Sequence, residues 1–309
     1  MKRRIIAFTL VGFLAAAAGG LLAMSESDYK VGLDSVVEIW GDFARDADHL
    51  GLTVTRVSAA REMEIGRKIE ALMATSDDPK LAAYVTAVGE SLVRHVRRKG
   101  ISYRFHISPS SHVNAYALPG GGIYITQGML RVLQTEAELA AVLGHEIAHV
   151  DLRHCIERIQ YEQLARKVVG DLALIVRIGH ELVERGFSEQ KELEADVVGM
   201  ILAAKAGYDP QAAIALFERL NKTWREAHNE AKQPTLIVQE LGTALGKALD
   251  QYFETHPPTQ LRIHELGGAV KRNARAWAGR QFYAGRTNYR DGVPRVSDER
   301  ENEWVTFAR

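Results

Sequence analysis

From Thr135 to Val150 the chain reads Thr-Glu-Ala-Glu-Leu-Ala-Ala-Val-Leu-Gly-His-Glu-Ile-Ala-His-Val, an apolar run broken at one place by two histidines and a glutamate. Thr135 and Glu138 form a capping-box pair just ahead of the apolar residues, which predicts a helix from there through residue 150. Leu139 to Leu143, Ile147, Ala148 and Val150 make that helix apolar nearly all round, so it belongs inside the protein. Burying imidazoles and a carboxylate is costly unless they find partners. The rest of the chain must therefore bring opposite charge or a metal ion to this segment. Residues four apart on a helix differ by about 40° in direction, so His145 and His149 point to one side, within reach of a single ion. Glu146 lies one step round, where it can take a proton from a water beside that ion without being a ligand.

A hydrolytic zinc site takes three protein ligands and leaves the fourth position open. One known arrangement supplies a third histidine six residues after the second, with glycine midway, but here Cys155 and Leu152 stand at those places. The other takes a glutamate from a later helix in the form Glu-x-x-x-Asp, and the chain offers Glu192-Leu-Glu-Ala-Asp196. Glu192 and Asp196 share a helix face, so Glu192 can ligate while Asp196 accepts the N–H of a ligand histidine. Glu194 is about 200° away from Glu192 and should face elsewhere. The apolar neighbours Leu193, Ala195, Val197, Val198 and Met200 argue against a solvated acidic face. His154 falls near the ligand side, as a partner or a cap, and Cys155 reads as a small buried residue.

The chain has 309 residues, 46% hydrophobic and 25% charged, enough for one large or two modest globular domains. Its 39 basic residues balance 39 acidic ones, so no summed field favours nucleic acid as a partner. A single cysteine excludes an intrachain disulfide and a cysteine-rich zinc knuckle. Lys2-Arg-Arg4 followed by the apolar run Ile5 to Ala23 has the layout of an export signal or a retained anchor, with no lipobox cysteine behind it. This places the remainder beyond a membrane, in a periplasm, either soluble or associated with the inner membrane through residues 5–23. The expected organisation is a signal or anchor over 1–24, a helical lead-in over 25–60, a zinc metallopeptidase domain over 61–268 and a C-terminal extension over 269–309. Helices are expected from Arg61, from Asp78-Pro79, and over 157–185, 189–206, 210–230 and 236–253, with strands at 102–107 and 123–126. The fold class is α+β, mainly helical, with a small antiparallel sheet beside the HExxH helix. The tail carries Trp277, Phe282, Tyr283, Tyr289 and Trp304 without a clear period.

Five ordered motifs then carry a resemblance: Asn114-Ala-Tyr-Ala-Leu-Pro-Gly-Gly121, His145-Glu-Ile-Ala-His149, Glu192-x-x-x-Asp196, Ala206-Gly-Tyr-Asp-Pro210 and Thr255-His-Pro-Pro-Thr-Gln-Leu-Arg262. Together they resemble metallopeptidase family forty-eight, the gluzincins that include HtpX and the Oma-type and CAAX-processing proteases, over about two thirds of the chain from Arg61 to Leu266. The single N-terminal apolar segment is similar to the periplasmic BepA-like and LoiP-like members. The resemblance implies a zincin fold and one zinc ion per chain on His145, His149 and Glu192, with Glu146 as catalytic base. It also implies that Asp196 supports a ligand and that His256 approaches the metal or the developing oxyanion with Arg262 behind it. The substrates implied are proteins or peptides, unfolded or from the envelope or outer membrane. An extended substrate would pair with a strand edge at Asn114, Ala115 and Tyr116, unless that segment is a plain buried connection. The competing class is a non-catalytic, zinc-binding, chaperone-like protein of the same fold, against which an intact Glu146 argues. A zinc enzyme acting on bonds other than peptides is a third class.

Overall fold

The chain divides after Thr55, and a computed structural model describes the backbone of residues 56–166, 186–230, 248–250, 252–256 and 260–307. The expected signal or anchor, most of the lead-in and the helices expected over 167–185 and 236–247 lie outside the described residues. Helix α1 (Ala59–Glu70) starts where the Ser58 side chain accepts the Arg61 N–H, and α2 (Pro79–Val93) where Asp78 accepts from Lys80 and Leu81. Three strands follow, β1 (Arg104–Ser108), β2 (Ala115–Ala117) and β3 (Gly122–Thr126), in the spatial order β1-β3-β2. The antiparallel pairing expected from the sequence holds for β2 with β3, which form a hairpin across Pro119-Gly-Gly-Gly122. There Gly120 and Gly121 take φ of 76° and 96°, and a Cβ at Gly120 would meet the Met63 backbone at 2.5 Å, so only glycine fits. β1 instead pairs with β3 in parallel, because the chain reverses between β1 and β2 and the hairpin leaves only the far edge of β3 free.

Helices make up the rest: α3 (Gln127–Val132), α4 (Glu136–Asp151), α5 (His154–Arg166), α6 (Glu189–Lys205), α7 (Gln211–Glu230), helical turns at 248–250 and 252–255, and α8 (Gln260–Trp277). The mainly helical α+β class read from the sequence is the class observed. Among the described residues, no helix is long and apolar enough to cross a membrane. Every residue of α4 is buried, as its all-round apolar character requires. Thr135 Oγ1 accepts the Glu138 N–H at 3.0 Å, while the Glu138 carboxylate takes the Gln134 N–H and the Arg219 guanidinium.

The tail is built into this core. α8 crosses residue 268 without a break, and after it come β4 (Gln281–Tyr283), the short α9 (Arg286–Asp291) and β5 (Trp304–Thr306), with β4 and β5 antiparallel. The carbonyls of Gly285 and Ala284 accept the N–H groups of Glu136 and Ala137 at 3.1 and 3.0 Å, satisfying donors that the first turn of α4 cannot satisfy itself. The buried Glu136 carboxylate accepts from Tyr84, Tyr208 and the Arg295 N–H at 3.1, 2.8 and 3.0 Å. Trp277, Phe282, Tyr283 and Phe307 complete the main apolar cluster.

α4 crosses α6 at Gly144 and Gly199. A Cβ added at Gly144 would lie 2.7 Å from the Gly199 carbonyl oxygen, and one at Gly199 would lie 2.5 Å from the His145 nitrogen. Two glycines thus let the backbones touch one residue from His145, which brings the first turns of α6 up to the histidines. Gly199→Ala is expected to destabilise the protein by about 1–3 kcal/mol in chemical denaturation, because the methyl group has no room between backbones. The same change should weaken metal binding by moving α6 off α4, and a variant of wild-type stability and metal content would contradict this packing.

Candidate metal centre

α4 carries His145 and His149 on one side, α6 brings Glu192, and the turn at 252–256 brings His256. One ligand atom from each of the four lies within 4.8 Å of the others, and all four residues are buried. His145 Nε2 is 3.0 Å from His149 Nε2 and 3.3 Å from Glu192 Oε2, and His149 Nε2 is 3.4 Å from Glu192 Oε1. Four-coordinate zinc with bonds of about 2.0–2.1 Å has edges of about 3.3 Å between its donor atoms, so this donor set fits such an ion. Glu192 Oε1 and Glu146 Oε2, both buried, accept no hydrogen bond among the described residues, in keeping with roles toward something other than protein.

Asp196 Oδ1 lies 2.8 Å from His145 Nδ1, on the far side of the ring from the cluster, which leaves Nε2 facing Glu192. Arg262 grips Asp196 through Nε and Nη2, each at 2.7 Å, and its Nη1 lies 3.3 Å from Glu192 Oε2. The sequence-based expectation placed Arg262 behind His256. It binds the two carboxylates of α6 instead, because α8 packs on α6 and turns the guanidinium toward its acidic face, over the Phe217 ring at 4.5 Å. His256 Nδ1 faces Glu192 Oε2 at 2.8 Å, and its Nε2 is 3.4 Å from the Ala115 carbonyl oxygen and 3.8 Å from Glu146 Oε1.

Electrostatics follow from burial set against these pairings. Burial opposes charge on His145, but Asp196 and Glu192 outweigh it and push its pKa up to about 10. Burial drives His149 down to about 3, with Glu192 only partly offsetting it. Burial would raise both Glu192 and Asp196, yet the histidines around Glu192 and the Arg262 guanidinium on Asp196 hold both carboxyls below their ordinary range. Glu146 stands apart: burial raises its pKa, and His256 and His145 offset that only in part.

Glu194 faces away from the cluster, as its helix position requires, and meets His154 at 3.5 Å. Asn114, Ala115 and Tyr116, the residues expected at a substrate-pairing edge, lie at the start of β2 beside this cluster. All three are buried. The Ala115 N–H donates to Asn114 Oδ1 at 2.9 Å, the Ala115 carbonyl faces His256, and the Ala117 carbonyl accepts from Cys155 Sγ at 3.6 Å. These contacts engage the Ala115 N–H and the carbonyls of Ala115 and Ala117 within the chain. Two residues with no sequence signal also shape the centre: Phe187 stacks on His149 at 4.0 Å between centroids, and Tyr252 packs on His256 at 5.2 Å. Beside His145 and Glu146 lies a small, largely apolar cavity of about 20 Å³, lined by Val142, Met200, Leu216, Phe217 and Leu266 among others.

The family model described as Peptidase family M48 matches residues 79–270. The mitochondrial metalloendopeptidase OMA1 of Arabidopsis thaliana is 28% identical over 274 residues, covering 81% of this chain and 50% of that protein. OMA1 of Schizosaccharomyces pombe is 30% identical over 191 residues, 59% of this chain and 51% of its own length. The beta-barrel assembly-enhancing protease of Escherichia coli strain K12 is 26% identical over 229 residues, 67% of this chain and 46% of its own. The chain spans about half the length of these relatives. A family match running from α2 through most of α8, and so across every buried residue of the metal-ligating group, makes the chain a member of peptidase family M48.

Proposed function

We propose that the protein is a zinc-dependent endopeptidase in which His145, His149 and Glu192 hold the ion and Glu146 is the general base. The observation that carries this is Glu146 itself: a buried carboxylate next to three metal-type donors, with one oxygen that accepts no hydrogen bond among the described residues. When bound, zinc would lower the pKa of an attacking water and polarise the scissile carbonyl. Glu146 takes the proton of that water and hands it to the leaving amine, a task favoured by a carboxyl whose pKa burial has raised. His256, on the Glu146 side of the cluster, presents Nε2 toward the negative charge that grows on the carbonyl oxygen. Asp196 keeps His145 in the tautomer that leaves Nε2 for the ion, and Arg262 keeps Asp196 ionised. Unfolded or envelope proteins are the proposed substrates, a class supported by relatives named as a beta-barrel assembly-enhancing protease.

Cleavage of casein by the wild type and by Glu146→Gln, with zinc content measured in both, tests the mechanism. The variant should keep its zinc and lose about 10²–10⁴-fold in turnover, and equal activity in the two proteins would overturn the assignment. Arg262→Met leaves Asp196 and Glu192 buried without their guanidinium, a change expected to cost about 3–5 kcal/mol of stability in chemical denaturation. Stability unaltered by that change would mean that the α6 carboxylates do not depend on Arg262.

A further inference from the structure

The two ligand histidines are backed by different partners. His145 leans on Asp196, which Arg262 clamps, whereas the Nδ1 of His149 meets the Nδ1 of His154 at 2.9 Å. His154 Nε2 in turn lies 3.5 Å from Glu194 Oε2, and the Glu194 side chain is 47% exposed. With an ion on Nε2 of His149, the His149 proton sits on Nδ1 and is donated to an unprotonated His154 Nδ1. The His154 proton is then on Nε2, directed at the Glu194 carboxylate.

We propose that His154, held by Glu194, is a positioning residue that fixes the tautomer and ring orientation of His149 and thereby sets the affinity of the metal centre. This rests on the metal-binding reading of His145, His149 and Glu192. Backbone geometry supports it independently. Arg153, the second of the two residues between α4 and α5, takes φ of 70°, a left-handed conformation that a non-glycine residue adopts only when its surroundings hold it there. That reversal turns the first residue of α5 back onto the last turn of α4, and the Arg153 guanidinium is anchored on the Val57 carbonyl at 3.1 Å. His154 is buried, and both its ring nitrogens face side chains, so it is not serving as a helix cap. Phe187 lies against the His149 ring at an interplanar angle of 18°, which leaves rotation of that ring to be restrained at its Nδ1 edge.

Zinc affinity of the full chain, measured by chelator competition, tests this without recourse to activity. Removing the hydrogen-bond partner of a ligand histidine commonly costs 10–100-fold in metal affinity, so His154→Leu should bind zinc about 10–100-fold more weakly than the wild type. His154→Asn, which keeps an acceptor near the place of Nδ1, should restore most of that loss. Glu194→Gln, a change at an exposed side chain, should weaken zinc binding in the wild type by a smaller factor and have no effect on top of His154→Asn, where no Nε2–H remains. The visible spectrum of the cobalt-substituted protein should shift in His154→Leu and return toward wild type in His154→Asn, a signature that a purely packing role would not reproduce. Wild-type zinc affinity in a folded His154→Leu, or an equal Glu194→Gln effect in both backgrounds, overturns the assignment. A wild-type chain that binds no zinc overturns the metal-centre reading on which it rests.

Discussion

The structure depends on one electrostatic requirement: a helix buried on every side carries two histidines and a glutamate, and those groups must be compensated without water. The compensation is a chain of contacts from Arg262 to Asp196 and Glu192, and from these carboxylates to His145, His149 and His256. No pair in this row would be stable alone in a low-dielectric interior, since desolvation outweighs a single Coulomb contact unless hydrogen bonds fill the remaining positions. The arrangement is therefore cooperative, and α4, α6 and α8 have to be packed together before any part of it is favourable.

Packing at that closeness has a steric price, met by the two glycines where α4 and α6 cross. Support at the other end of α4 comes from the tail. Backbone carbonyls from the segment after β4 occupy the first-turn donors of α4, and the buried Glu136 ties Tyr84, Tyr208 and the Arg295 backbone to the same point. The HExxH helix is thus pinned at its start by the C-terminal segment and held at its middle by α6. This is the kind of rigid mounting that a metal site needs if its donors are to keep their mutual distances.

Much of this was legible from residue types and spacing. The HExxH helix, the Glu192 and Asp196 face, the outward direction of Glu194 and the strand at 123–126 all follow from helical geometry, strand alternation and turn chemistry, which are local. The tail was not legible, because Trp277, Phe282, Tyr283 and Phe307 reach the core from a helix end, a strand and a loop, and such a set has no period. Arg262 was found but given the wrong neighbour. Its sequence proximity to His256 suggested contact, whereas helix packing turned its side chain to α6.

By itself, the sequence determined which side chains had to meet. An apolar helix with His145, Glu146 and His149 cannot be buried without a carboxylate and a cation, and Glu192 stood on a similarly apolar helix. Only the tertiary structure decided how they are backed. That Asp196 meets His145, that His154 meets His149, and that Ala115 lies against His256 depend on contacts between segments far apart in the chain or across a left-handed reversal. Local propensity carries no term for such contacts, because their energy exists only once both segments have been removed from water.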